Sequence, residues 1–589
     1  MGGYRFGEAD NAWQVPAVRA MAAGEFAADY IYSQPLSLSL FFPLVAALSR
    51  LFDLSALYFA GYAAASVASA ALIYRFAFKT LGSASAAILA VVLLLTKKDI
   101  IAGATTWDPL FLPRTAAMPF MILSWLMLIE KKFIGAGLMV GLASALHPLT
   151  GVYSGVISVI YLVMTQPGWW RDVVLFSLAA LPFAAIVVLT ESGPGPALVG
   201  ADPAWYRAML VRNIHHLVSD RFLVMAGLLL YGLWVSVRLR DLGRTQGLLQ
   251  AAIVGSAVAF MYAGGALVVG GLLELENPAL AALYPPALTV LQPLRISGLL
   301  GILLLVATAG ILAEAFNSTR LGAILAAATV MALFHGQWVA GGMLAAAAMI
   351  SRQAGVWRGV AGGLIALAAA GTAALGDLSL LLLLAAAALL AAALWHLAPL
   401  IGAKGASGAL AAVVILAGVV PASWAPWLAD SLFGVEPEAA ARYETAVKID
   451  ITGEAAFEEA ARWAAAHAAA DDVIIIPPWW EGFRIASGRP VYGTWKDGTL
   501  VFFRHDLAGA WLGRMALLAA PLAPAGGSRY PDWGVDTYRA LRAADFMDAA
   551  RRFPARYAVS ERGSVENLHE VYRGDYVYIY DLSQGGVGL

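Results

Sequence analysis

The 589-residue sequence contains no cysteine. Disulfides, thiolate catalysis and cysteine–zinc sites are therefore excluded, and redox logic says nothing about the compartment. Charge is scarce too. Only 13% of residues are Asp, Glu, Lys or Arg, the net charge is −1, and no basic cluster suited to a phosphate backbone occurs. Nucleic acid is thus not an expected partner. Nothing before Pro35 has the pattern of a secretory signal, a charged start followed by roughly 7–15 apolar residues. A Gly-rich phosphate loop, a Ser-centred elbow and a His-Glu-x-x-His zinc motif are also missing, which removes the usual soluble nucleotide- and metal-dependent enzymes. No repeat of fixed period and no low-complexity linker is found.

What is present is apolar. Hydrophobic residues make up 60% of the chain, and its mean hydropathy is +0.73. A soluble domain has about half apolar residues and about a quarter charged ones, so the chain reads as an integral protein of the lipid bilayer. Membrane-length runs are predicted at 54–78, 82–96, 114–130, 133–149, 150–165, 173–190, 222–238, 248–270 and 296–314. Further runs follow at 320–335, 336–350, 359–376, 378–399 and 405–421, for about 13–15 spans in all. Arg75, Lys79, Lys131, Lys132, Arg171, Arg238, Arg240, Arg244, Arg320, Arg352, Arg358 and Lys404 fall at alternate helix ends. The positive-inside rule makes those ends cytoplasmic, although Lys97, Lys98, Arg114, Arg207 and Arg212 lie opposite. The N-terminal segment, the loops 97–113, 191–221 and 271–295, and everything after Trp424 then share the outer face.

Three regions follow. Residues 1–53 form an outer-face acidic segment with two helices, an amphipathic one from Asn11 to Tyr32 and an apolar one from Leu36 to Phe52. Residues 54–421 form the transmembrane domain. Residues 437–589 are richer in charge and form a small soluble α/β domain. Within it, helices are expected at Glu454 to Ala469 and Thr537 to Phe553, with strands at Val473 to Ile476, Arg556 to Ser560 and Tyr576 to Tyr580.

Acidic groups beside a membrane are costly to bury without partners. Glu8 and Asp10 are accordingly the candidate chemical centre, with Glu25 and Asp29 in the same segment; the plain alternative is a solvated loop. Asp108 and Arg114 flank the start of one span and either hold an anionic head group, pair with each other or cap the helix. His147, before Pro148, is a ligand candidate or bonds backbone freed at the break. Arg207, Arg212, His215, His216 and Arg221, near Trp205 and Tyr206, suit a phosphate and a sugar ring, or an interfacial belt. Gln292 and Arg295 form a further candidate. Adjacent histidines cannot share one metal from a helix, so zinc is not expected there.

The residues Gly7-Glu8-Ala9-Asp10-Asn11, Gln14, Pro16, Asp29-Tyr30, Pro113-Arg114 and His147-Pro148-Leu149-Thr150-Gly151 resemble those of polytopic membrane glycosyltransferases of the GT-C fold. In the tail, Arg462-Trp463, Ile476-Pro477-Pro478, Gly482-Phe483-Arg484, Ser487-Gly488-Arg489, Tyr492 through Trp495-Lys496, Trp511 and Arg514 extend the likeness to a bacterial branch with a soluble C-terminal domain. The resemblance implies inverting transfer of a sugar from a polyprenyl-phosphate carrier to an acceptor at the outer face of the inner membrane. Its base would be Asp10 or Glu8, and the charge on its leaving phosphate would be met by Arg114, Arg295 and the 191–221 loop, or by a divalent cation (magnesium or manganese) for which Glu8 and Asp10 are the candidate ligands. That fold normally places a transmembrane helix before the first outer loop, whereas Met1 lies nine residues before Asp10. Either the helix is absent or the sequence starts late. The competing readings are a transporter or flippase of lipid-linked sugars, and a non-catalytic glycan-binding or assembly subunit.

Overall fold

The computed structural model describes residues 4–33, 36, 39–94, 105–190, 204–205, 207–209, 211–212, 222–241, 247–272, 292–316, 325–326, 329, 344, 454–519, 533–561 and 564–584. The expected spans from 320 to 421 lie outside them, apart from isolated positions, as do His215, His216 and Arg221.

A short helix α1 (Asn11–Ala23) and a nine-residue helix α2 (Phe41–Ser49) precede the long apolar helices. These are α3 (Leu54–Leu81), α4 (Ala84–Leu94), α5 (Pro113–Ile129), α6 (Phe133–Leu146), α7 (Pro148–Thr165), α8 (Trp169–Thr190), α9 (Phe222–Asp241), α10 (Gly247–Leu272) and α11 (Ile296–Phe316). Their boundaries follow local chemistry. The Asp53 carboxylate accepts from the Ala56 N–H at 2.9 Å and opens α3, and Gly82, at φ 66°, closes it. Proline occupies the first position of both α5 and α7, where its missing N–H costs nothing. A 3₁₀ turn, Pro293–Arg295, leads into α11.

Leu54–Leu81, Pro148–Thr165 and Pro293–Phe316 are each long and apolar enough to cross a membrane. Helix α11 is buried along nearly its whole length, between α4 and α10, as expected of a helix apolar on every side. Elsewhere apolar side chains point outward: Val67 is 70% exposed, Leu230 68% and Met261 66%. Surfaces of that kind are tolerated in hydrocarbon and not in water. The molecule is a polytopic helical membrane protein with a small α/β region at its C-terminal end. Helices α6 and α8 approach closely because Gly137 and Gly141 lie one turn apart, and a Cβ at Gly137 would run into the Phe176 carbonyl.

The tail contains α12 (Ala455–His467), β1 (Ile474–Ile475), α13 (Phe483–Ser487), a 3₁₀ helix (Trp495–Phe502), α14 (Leu507–Ala519), α15 (Trp533–Arg539), α16 (Ala543–Arg552), β2 (Tyr557–Ser560), β3 (His569–Arg573) and β4 (Tyr578–Asp581). The sheet runs β1-β2-β4-β3, with β1 parallel to β2 and the remaining pairs antiparallel. The tail is not a free-standing lobe. Its Leu500 and Leu507 share a core with Phe6, Trp13 and Val18 of the N-terminal segment, and its Val501 and Trp511 share another with Trp205 and Met209.

Three local expectations are corrected. Helix α1 stops at Ala23, because Gly24 adopts a left-handed φ of 70°, and turns rather than helix continue to Tyr32. Most of α1 is buried beneath the tail instead of lying on a membrane surface. The stretch Thr537 to Phe553 is two helices, since the Arg542 backbone N–H donates to Asp545 at 2.8 Å and starts a new one.

Candidate functional site

The site grows from a tight turn. Gly7 has φ 78° and Ala9 φ 48°, so two left-handed residues bracket Glu8 and deliver Asp10 to the start of α1. A non-glycine residue in that region costs on the order of 1–2 kcal/mol, and such strain persists only where its surroundings enforce it. Asp10 occupies the N-cap position but makes no capping hydrogen bond. Its carboxylate turns instead to Lys496 of the tail, Nζ to Oδ1 at 2.8 Å, and to Arg114 of α5, Nη2 to Oδ2 at 3.6 Å. Arg114 is shared. It also pairs with Asp108, donating from Nη2 to Oδ1 at 2.9 Å.

Burial alone would push the Asp10 pKa up. Lys496 first, then Arg114, and more weakly Arg295, outweigh it and hold the carboxyl well below the usual range. The Asp10 side chain still keeps 28% of its surface accessible, so solvent softens these pairings. Glu8 pairs with Arg5 at 3.0 Å, on the other side of the turn.

Beside this cluster a cavity of about 620 Å³, mouth included, runs inward between α5, α7 and α11. Its polar end carries Thr105, Asp108, Arg114, His147 and Arg295; its walls are apolar, with Met118, Met121, Leu149, Leu299 and Ile302. The first turns of α5, α7 and α11 all open onto it. Helix N-termini carry partial positive charge and unpaired N–H groups, so three of them beside two arginines make an anion-attracting end. His147 caps α7: its Nδ1 accepts from the Thr150 N–H at 3.2 Å, leaving the ring proton on Nε2. Gln292, at φ 47°, is a second strained residue at this end, and its carbonyl accepts from the Tyr153 hydroxyl at 2.8 Å.

The remaining candidates lie elsewhere. Asp29 is fully buried in a clamp: Arg484 donates from Nε to its Oδ2 at 2.7 Å and from Nη1 to Asp497 Oδ1 at 2.7 Å. The Ile31 and Val491 N–H groups complete it. Such a fully used carboxylate is a structural tie between the N-terminal segment and the tail, not a ligand of the cavity. Arg212 donates to the Trp495 carbonyl at 3.0 Å and lies over the Trp495 ring, so it supports the tail rather than the cavity. Arg207 is exposed. Neither of the loop's two described arginines lines the cavity. A divalent cation fits poorly at Asp10 and Glu8, since each is matched to a cation. Among the described residues no three acidic or histidine side chains converge as a metal site.

Lys496 is the residue that sequence reasoning missed. It was visible only as part of Trp495-Lys496, and its partner is 486 positions away. The available signal was its setting: a lysine among buried aromatics needs a carboxylate.

A family model described as a domain of unknown function (DUF6798) matches residues 455–515, the part of the tail holding α12, the Arg484 clamp and Lys496. No curated protein matches the chain. Among solved structures, the crystal structure of ArnT from Cupriavidus metallidurans bound to undecaprenyl phosphate aligns over 98% of this chain and 94% of its own. The identity is 12% and the TM-score 0.36, a likeness too low to argue from.

Proposed function

We propose that the chain is a GT-C-type glycosyltransferase of the inner membrane that takes a sugar from a polyprenyl-phosphate carrier and passes it, with inversion, to an acceptor hydroxyl. The observation that carries this reading is the ion cluster of Asp10, Lys496 and Arg114 at the polar end of an apolar-walled cavity. A phosphate on a long hydrocarbon chain has the same two-part chemistry: the anion suits Arg114, Arg295 and the helix N-termini, and the prenyl chain suits Met118, Met121, Leu299 and Ile302.

The chemistry follows from the charges. The acceptor oxygen attacks the anomeric carbon, the bond from that carbon to the phosphate oxygen breaks, and the electron pair leaves with the lipid phosphate. Asp10 accepts the hydroxyl proton. In the resting site its basicity is suppressed by Lys496 and Arg114. An incoming phosphate competes for both cations, which restores basicity to Asp10 when the carrier is bound. The same cations then stabilise the charge that develops on the leaving phosphate. The tail faces the outside in this reading, and no step requires a metal.

The resting pairing of Asp10 also favours a second reading, a subunit that binds the carrier without chemistry. Incubating the protein in nanodiscs with a polyprenyl-phosphate sugar separates the two. Turnover of the carrier to free polyprenyl phosphate is expected. Tight binding without turnover for any acceptor supports the second reading, and no binding rejects both.

A further inference from the structure

The charges at the far end of α5 play no part in the transfer site. Arg114 stands at the start of that helix and Glu130 caps its end, a rise of about 24 Å away. There Glu130 meets Lys79 at 2.6 Å, Lys132 at 2.7 Å and Arg75 at 3.6 Å. The carboxylate is nearly covered, whereas Arg75, Lys79 and Lys132 all stay open, at 66%, 47% and 64% of their side-chain surface. Lys131 is exposed too and has no charge partner among the described residues. Four cations thus share one carboxylate, and most of their N–H donors are uncommitted. Glu130 holds together like charges that would otherwise repel.

The backbone at this turn is strained. The Lys131 N–H bonds the Leu128 carbonyl and the Lys132 N–H the Met127 carbonyl, the Schellman ending of a helix. Its left-handed position ordinarily takes glycine, yet Lys131 holds it at φ 59°. The surroundings belong to the edge of a bilayer. On α3, Tyr74 and Phe78 stack at 6.2 Å beside Arg75 and Lys79, both rings turned outward. On α6, Ile134 and Leu138 are exposed one turn apart. Helices α6 and α8 run in the same direction, with Gly137 against Phe176 and Gly141 against Phe183. Counting back from those contacts sets Arg171, beside Asp172, level with Lys132, and the exposed Trp169 and Trp170 just beyond. Tryptophan and tyrosine mark head-group depth.

We infer that this end of the bundle binds an anionic phospholipid, its phosphodiester among Lys79, Lys131 and Lys132 and its acyl chains along Phe78, Ile134 and Leu138. The site is independent of the transferase reading, since none of these residues lines the carrier cavity. A phosphodiester brings a negative charge and two free oxygens, which a group of ammonium donors can share. A zwitterionic head group brings its own cation and gains less. The exposed apolar side chains beside the cations select a lipid over a soluble anion. Lysine at position 131 then has a reason: glycine would relieve the turn and remove the one cation that no carboxylate of the fold uses.

Lipid retention by the full chain tests this. The protein is equilibrated in nanodiscs of phosphatidylcholine and phosphatidylglycerol in equal parts, and the lipids it keeps through mild extraction are identified by native mass spectrometry. Phosphatidylglycerol should be enriched. Lys131→Gly should lower the enrichment roughly fivefold, the worth of one cation near a membrane surface. The same variant should unfold in phosphatidylcholine at an unchanged or higher temperature, because glycine fits the left-handed turn. Lys79→Gln combined with Lys131→Gln and Lys132→Gln should abolish the enrichment. Arg551→Gln with Arg552→Gln, exposed cations of the tail, should leave it intact. Equal retention of the two lipids, or an enrichment that Lys131→Gly leaves unchanged, overturns the site. Stabilisation by inorganic phosphate without any lipid preference would mark a soluble anion and overturn it equally. Enrichment and stability lost together in Lys131→Gly would assign the lysine to the turn itself and count against the lipid.

Discussion

Arg484 in the tail reaches Asp29 in the N-terminal segment, Nε to Oδ2 at 2.7 Å, with both side chains buried. The same guanidinium holds Asp497 through Nη1 and Nη2 at 2.7 and 3.0 Å, and Asp497 follows Lys496 directly. Burial opposes the charge of Arg484, but Asp29 and Asp497 outweigh it and raise its pKa well above the ordinary value. The clamp thereby fixes the turn that carries Lys496 to Asp10.

Arg484→Met leaves two buried carboxylates without a cation, a change expected to cost about 3–5 kcal/mol. Arg484→Lys should recover little, because an ammonium cannot bridge two carboxylates with a planar fork. Thermal unfolding in detergent checks both. Stability like that of the unaltered protein in Arg484→Met would mean the clamp is incidental.

Lys496→Met should change the response to acid. An Asp whose folded pKa is depressed contributes stability that is present above its unfolded value, about 3.9, and lost as pH falls through the folded value. For Asp10 the Lys496 pairing moves that loss to strongly acid pH. Removing the lysine should bring the acid-side loss of stability, and the acid limb of the pH–rate profile, to higher pH. Solvent access to Asp10 keeps the effect modest. Coincident profiles for Lys496→Met and the unaltered protein would contradict the pairing.

The side of the membrane can be read chemically in a chain free of cysteine. Ser560 is buried and unsuitable for labelling, whereas Ser564 is exposed. Ser564→Cys should react with an impermeant thiol reagent in intact cells. Lys131→Cys, at the opposite helix end where Lys79 and Lys132 pair with Glu130, should react only after lysis. The reverse pattern would put the tail and Asp10 inside.

Much of the helical frame was legible because apolar runs, proline starts and charged ends are local signals. The run predicted at 222–238 is helix Phe222–Asp241, and that at 248–270 is Gly247–Leu272. The end of α1 was missed because the apolar spacing continues past Gly24 while the backbone turns there. Strand β3 was missed since its one aliphatic residue, Val571, points outward with His569 and Arg573, the reverse of an apolar-in, polar-out alternation. Asp10, Asp108, Arg114, His147 and Arg295 were legible as charges at helix ends, and the structure brings them to one place. Asp29 carried the same signal and serves a different purpose, because its partner Arg484 is 455 residues away. Distances of that kind are written in the fold and in no local pattern.

The central claim is that Asp10 takes the acceptor's proton. Asp10→Asn keeps the side chain's size and removes its basicity. The decisive measurement is transfer from a polyprenyl-phosphate sugar in nanodiscs, with carrier binding followed on the same sample. Turnover should fall by roughly 10²–10⁴-fold, and carrier binding should hold or tighten, because the substitution frees Lys496 and Arg114 for the phosphate. Transfer undiminished in Asp10→Asn would contradict the account and move the base elsewhere.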